Sequence, residues 1–164
     1  MSSQEKPVDF FIRQATNEDI SGIKNVVFTI LREYGLPPDE KGKDKDLDNV
    51  EKEYSPPHGF FGVLVEIKTN NIIGTIGLCR IDAQTSELRK MYLQKDHRGK
   101  GLGKYLLTTA LAVAKQRQVK RIFLETISPL QEAISLYRHF GFTEIPITVK
   151  NERVDRAFEL YLED

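Results

Sequence analysis

The stretch of this 164-residue chain best suited to chemistry is Met91-Tyr92-Leu93-Gln94-Lys95-Asp96-His97-Arg98-Gly99-Lys100-Gly101-Leu102-Gly103-Lys104. β-forming residues lead through a glycine-rich turn into a helical pattern. A helix that starts this way leaves N–H groups unpaired and turns the positive end of its dipole outward, and glycines let an anion approach the backbone. Arg98, Lys100 and Lys104 add local positive charge to a chain whose 24 basic and 24 acidic residues otherwise cancel. The expected role is a cradle for a pyrophosphate. A P-loop would need Ser or Thr after Lys104 and glycine at position 98, where Tyr105 and Arg98 stand. A dinucleotide fingerprint would need Gly-x-Gly-x-x-Gly near the start of a βαβ unit, whereas Gly-x-Gly-x-Gly occurs here in mid-chain.

Elsewhere the chemical inventory is small. The single cysteine, Cys79, sits in the apolar run Ile76-Gly77-Leu78-Cys79 and reads as a buried small hydrophobe. His58, His97 and His139 show no metal-ligand spacing with one another or with Cys79, so no metal is expected. The longest nearly uncharged apolar run, Gly59 to Val65, is too short for a bilayer, which needs about 20 residues. Met1 to Pro7 has no apolar core after a basic start, so no leader is expected and a cytoplasmic location is.

The elements that must position the glycine turn follow from periodicity. Val8, Phe10 and Ile12 alternate as a first strand. Thr16 and Asp19 form a capping box ahead of a helix carrying Ile20, Ile23, Val27, Ile30 and Leu31 and ending at Gly35. Asp39 to Glu53 is either a solvated loop or a short helix with Leu47, Val50 and Tyr54 on one side. Phe60–Lys68 and Ile72–Ile81 form a hairpin, and Glu87–Gln94 a third strand with a bulge near Arg89-Lys90-Met91. A helix over Gly101–Gln118, a strand over Arg121–Ile127 and a helix opened by Ser128-Pro129, boxed by Gln131 and closed by Gly141 come next. Phe142–Val149 and Arg156–Glu163 are the last strands, giving β-α-β-β-β-α-β-α-β-β, an α/β (α+β) sheet with packed helices.

Arg98, Gly101 and Gly103 match a signature of Gln or Arg, two residues, Gly, one residue, and Gly or Ala. With the Leu124-Glu125-Thr126 strand and the Ala133 to Phe142 segment, nearly the whole chain resembles the GNAT superfamily of acetyl-CoA-dependent N-acetyltransferases. The resemblance implies one domain over residues 1–164, with a mixed, mostly antiparallel sheet splayed at a bulge and helices on both faces. It implies acetyl-CoA as cosubstrate, no metal, and direct attack by an amine in a ternary complex. In the Met91-Tyr92-Leu93 strand, the main chain of Met91 and Leu93 would hold the pantetheine arm. The amides of Gly99, Lys100, Gly101, Leu102, Gly103 and Lys104 would hold the pyrophosphate, and Tyr137 would protonate the departing thiolate. One departure is that Ser128-Pro129-Leu130 occupies the region where relatives often carry an asparagine for the cofactor.

An alkyl ammonium of pKa near 10.4 costs about 4.6 kcal/mol to neutralise at pH 7, so a base is expected. Glu87, eleven residues ahead of Arg98, matches the position of the glutamate base in some family members; an exposed strand glutamate paired with Arg89 is the equal alternative. Glu125, acting through a water, is the second candidate. The acceptor is expected to be the primary amine of a small molecule, amino-acid-like compounds included, lined by Arg32, Glu33, Tyr34, His58, Phe60 and Phe61. Two other readings keep the glycine turn: a non-catalytic CoA-binding sensor and a protein or peptide N-acetyltransferase. A nucleic-acid stripe over Lys100, Lys104, Lys115, Arg117, Lys120 and Arg121 is disfavoured by net neutrality and the lack of interleaved aromatics. Apolar residues of the last two strands are the expected contact if the chain forms a homodimer.

Overall fold

The computed structural model describes residues 7–163, so the leader reading at the N-terminus falls mostly outside the described residues. Seven strands form one sheet in the order β1-β2-β3-β4-β5-β7-β6: β1 (Phe10–Gln14), β2 (Gly59–Glu66), β3 (Asn71–Arg80), β4 (Thr85–Leu93), β5 (Arg121–Thr126), β6 (Thr143–Ile145) and β7 (Arg156–Tyr161). Only β4 and β5 run parallel; every other neighbouring pair is antiparallel. The helices are α1 (Ile20–Glu33), α2 (Val50–Glu53), α3 (Leu102–Gln116) and α4 (Gln131–His139). Among the described residues no helix is long and apolar enough to cross a membrane.

Two cores lie on opposite faces of the sheet. Ile23, Val27 and Leu31 recur at helical spacing on α1 and pack with Leu47, Val50, Tyr54 and Phe61 on one face. Leu102, Leu106 and Ala110 of α3 and Ile134 of α4 pack with Phe60, Ile76 and Ile122 on the other. Because helices cover both faces, β2 is buried at seven consecutive residues instead of alternating. Phe60 and Phe61 therefore enter different cores, since successive strand side chains point to opposite faces.

Four local expectations change. The helix after β5 begins at Gln131 with Leu130 as its cap, because the Ser128 amide and hydroxyl both bond Asp155 Oδ1, at 2.8 and 3.0 Å. Gln131 accordingly donates its side-chain amide to the Ser128 carbonyl and closes no box. The sixth strand stops at Ile145, ahead of Pro146, which lacks the N–H a ladder needs. Asp39 to Glu53 is neither wholly loop nor one helix: a 3₁₀ turn over Lys45–Asp48 precedes α2, and Leu47, Val50 and Tyr54 are all buried. Cys79 is half-buried beside the Glu53 carbonyl.

Two irregularities open the sheet. The β3–β4 register changes between Thr75↔Tyr92 and Gly77↔Arg89, a bulge at Lys90 (φ 52°), whose carbonyl accepts the Thr75 hydroxyl at 2.6 Å. The β4–β5 pairing ends at Glu87↔Phe123, so Leu88 to Leu93 has no strand on that side. A wedge results.

Candidate active site

A cavity of about 330 Å³ fills the wedge. One wall is β4 from Leu88 to Leu93, and the opposite wall is Glu125, Thr126 and Ile127 with Ala133, Leu136 and Tyr137 of α4. Gly99, Gly101, Gly103 and Lys104 close one end, and Ile30, Leu31, Tyr34, Leu36 and Arg153 stand along the rest.

The glycine end is built as a row of free donors. After β4 a 3₁₀ turn over Lys95–His97 leads to Arg98, then to Gly99 and Gly101, both at φ +79°. That conformation strains any residue with a Cβ, and among the described residues, chain neighbours aside, no atom lies within 4 Å of where a Cβ would stand at either position, so the space above both is open. The first helical bond is donated by Tyr105 to the Gly101 carbonyl at 3.1 Å; among the described residues the amides of Gly99 to Lys104 have no main-chain acceptor. Six neighbouring N–H groups at the positive end of a 15-residue helix suit a diphosphate. Leu102, 1% exposed, anchors that helix end in the core.

The Arg98 side chain does not contribute charge to this row as the sequence led one to expect. Its Nε donates to the Leu93 carbonyl at 2.9 Å, and Nη1 and Nη2 donate to the Glu33 carboxylate at 2.7 and 3.1 Å. Arg98 is a strut from the cradle to α1, and Lys100 and Lys104 are the basic side chains there without an ion-pair partner among the described residues.

Tyr137 lines the cavity. Its ring packs on Phe142 and Phe158 at centroid distances of 5.6 and 6.2 Å, and its hydroxyl is 3.6 Å from Met91 Sδ on β4. Burial and then the neighbouring Tyr92 push the phenol above its ordinary value, so it holds its proton at neutral pH. Tyr137 is thus a core residue that also lines the cavity. Burial likewise lifts Tyr92 to about 12.

The two glutamates differ. Glu87 is ion-paired with Arg89 and lies outside the cavity lining. Glu125 lines the cavity and has no ion-pair partner among the described residues. Although Glu125 is an exposed residue, partial desolvation of its carboxyl, followed by repulsion from Glu87, raises it above the ordinary value, with Lys43 and Arg89 opposing.

Of the expected acceptor residues only Tyr34 lines the cavity. Phe60 and Phe61 are core residues, 8% and 0% exposed, and Arg32 projects from the last turn of α1 to solvent. Sequence reasoning missed Lys90 and Arg153. Buried Asp44 accepts from Arg153 Nη1 at 2.9 Å and Nη2 at 2.5 Å and lies 3.4 Å from Lys90 Nζ. These pairs buckle the loop after α1 to the loop before β7 beside the cavity. No local pattern could reveal them, since Asp44 and Arg153 are 109 residues apart.

A sheet splayed beside a cradle of free amides defines the class of CoA-dependent acyltransferases. Residues 26–142 match the family model described as "Acetyltransferase (GNAT) family". The chain belongs to this family, and it is an acetyl-CoA-dependent N-acetyltransferase. It is similar to the uncharacterized N-acetyltransferase YjgM of Escherichia coli, 38% identical over 141 residues and 82% of each chain. An acetyltransferase of the GNAT family from Staphylococcus aureus superposes with a TM-score of 0.85 at 26% identity, covering 94% of this chain and 99% of that one. An acetyltransferase from Salmonella typhimurium, solved with its cofactor acetyl-CoA, has a TM-score of 0.75 at 19% identity over 95% of each chain.

Proposed function

We propose that the chain acetylates the primary amine of a small molecule by direct attack in a ternary complex. The observation that carries this is one cavity lined by the glycine turn with its free amides, by the protonated phenol of Tyr137 and by Glu125, a carboxylate with no ion-pair partner among the described residues. The cradle fits the cosubstrate: amides of Gly99 to Lys104 hold the pyrophosphate, and the β4 edge from Met91 to Leu93 receives the pantetheine arm. The bound cosubstrate supplies the acetyl thioester.

The protein's own groups handle the protons. Glu125, directly or through one water, relays a proton from the ammonium group, the neutralisation that costs roughly 4.6 kcal/mol at pH 7. As the N–C bond forms and the C–S bond breaks, the nitrogen sheds its second proton to water, and Glu125 returns the first to the bulk. Tyr137 donates one to the departing sulfur and is reprotonated from the bulk. The net release is one proton. Glu87, engaged with Arg89, acts on the reaction by raising the proton affinity of Glu125.

The test is release of free thiol from acetyl-CoA against a panel of small primary amines, with products identified by mass. Amine-dependent release supports the reading; tight CoA binding without release for any amine would overturn it.

A further inference from the structure

Four residues of the cavity wall, Ile30, Leu31, Tyr34 and Leu36, come from the end of α1 and the turn behind it. Main chain alone closes that turn. The Tyr34 amide donates to the Ile30 and Leu31 carbonyls at 3.3 and 3.1 Å, Gly35 donates to Arg32 at 3.0 Å, and Leu36 reaches back to Leu31 at 2.8 Å. Its side-chain attachment to the rest of the protein is Glu33, the last residue of α1. Among the described residues, the only side-chain hydrogen bonds made by residues 30–36 are the two that the Glu33 carboxylate accepts from Arg98, at 2.7 and 3.1 Å.

Arg98 belongs to the glycine turn by its main chain and to two other elements by its side chain. Its amide donates to the Lys95 carbonyl at 3.2 Å, its Nε holds the Leu93 carbonyl at the end of β4, and its terminal nitrogens hold the end of α1. A planar guanidinium engaged at all three nitrogens sets both distance and angle between the groups it joins. That fork is only as firm as the turn that carries it. Gly99 follows directly at φ +79°, and among the described residues the amides from there to Lys104 have no main-chain acceptor. A diphosphate bonded to those amides fixes the turn, and with it the arm that reaches α1.

We infer that Glu33 is a positioning residue for the acceptor: through Arg98 it sets the wall formed by Tyr34 and Leu36 according to whether the cradle is filled. Glu33 is outside the cavity lining, so its effect passes through Arg98 and the α1 turn. The inference rests on the N-acetyltransferase reading above and adds what readies the acceptor end of that site. The two side chains are 20% and 27% exposed, a setting in which such a pair shifts an equilibrium by roughly two- to fivefold.

The experiment follows hydrogen exchange of peptides covering residues 30–36, with and without saturating CoA, in wild type and in Glu33→Gln. The variant's melting temperature and CoA affinity are measured alongside. In wild type, CoA is expected to slow exchange there by roughly two- to fivefold. In Glu33→Gln, CoA still binds and the slowing is lost. Steady-state kinetics with the small primary amine that releases thiol fastest form a second arm, in which Glu33→Gln raises the KM for the amine by about the same factor and moves the KM for acetyl-CoA and kcat by less. Exchange that rises equally with and without CoA, the mark of a merely structural role, would overturn the inference. So would a wild-type segment that CoA leaves unchanged, or a variant that loses CoA affinity, since Glu33 would then serve the cradle itself. The exchange arm needs no acceptor, so its outcome stands apart from failure of the N-acetyltransferase reading, which shows as no thiol release with any amine.

Discussion

Replacing Asp44 by Asn removes one charge and almost no volume, at a position 0% exposed. The carboxylate accepts two bonds from Arg153 and one from the Asp39 amide at 2.8 Å, and it faces Lys90. Arg153 and Lys90 are themselves 13% and 9% exposed at the side chain, so the variant takes the ion-pair partner from Arg153 and leaves Lys90 facing Asp46 alone. Removing one partner of a buried pair costs about 3–5 kcal/mol, because an uncompensated charge stays behind. For a domain of this size that corresponds to a fall in Tm of roughly 6–20 °C. The pH dependence has a definite sign. Burial works against the charged Asp44, but Arg153, the Asp39 amide and Lys90 outweigh it and hold the carboxyl below the ordinary 3.8. Its contribution is therefore full above that value and is lost as pH falls through the lower folded value. Chemical denaturation of wild type and Asp44→Asn across acid pH is the assay: the gap is wide at pH 7 and narrows below about pH 4. A variant within ~1 kcal/mol of wild type at pH 7 would refute the claim that this buried pair holds the two loops together.

Tyr137→Phe should lower kcat by about 10²–10⁴ with little change in the KM for acetyl-CoA, as expected for a lost proton donor; steady-state kinetics showing an unchanged kcat would end that assignment. Glu125→Gln should reduce kcat by a similar factor and abolish the acid limb of the pH profile. Glu87→Gln should keep activity and shift that limb to lower pH, since the repulsion that raises Glu125 is gone; loss of the limb in Glu87→Gln would make Glu87 the base instead.

The cradle was legible because its demands are local. Gly99 and Gly101 sit where only glycine is unstrained, and Arg98, Gly101 and Gly103 carry the family signature in one short run. The bulge in β4 was legible for a related reason: polarity around Arg89-Lys90-Met91 does not sort to two faces, and there the register shifts. What stayed hidden depends on partners distant in sequence. The charged run from Asp39 to Glu53 reads as a solvated loop or a short helix, and neither reading buries Asp44, which pairs with Arg153 across more than a hundred residues. Ser128 reads as a helix cap, and its cap hydrogen bond goes to Asp155 instead. Phe60 and Phe61 read as pocket wall, yet β2 is buried on both faces and takes them into its two cores.

The central claim is that the open amides between Gly99 and Lys104 grip a diphosphate. Calorimetric titration of the wild-type protein with CoA and with pantetheine, which lacks the diphosphate and nucleotide, tests it most directly. Bonds to a charged acceptor contribute about 1.5–3 kcal/mol each, so losing even two of them weakens binding by more than roughly a hundredfold. CoA should therefore bind at least that much more tightly than pantetheine. Equal affinity for the two, or no binding of CoA at all, would contradict the account.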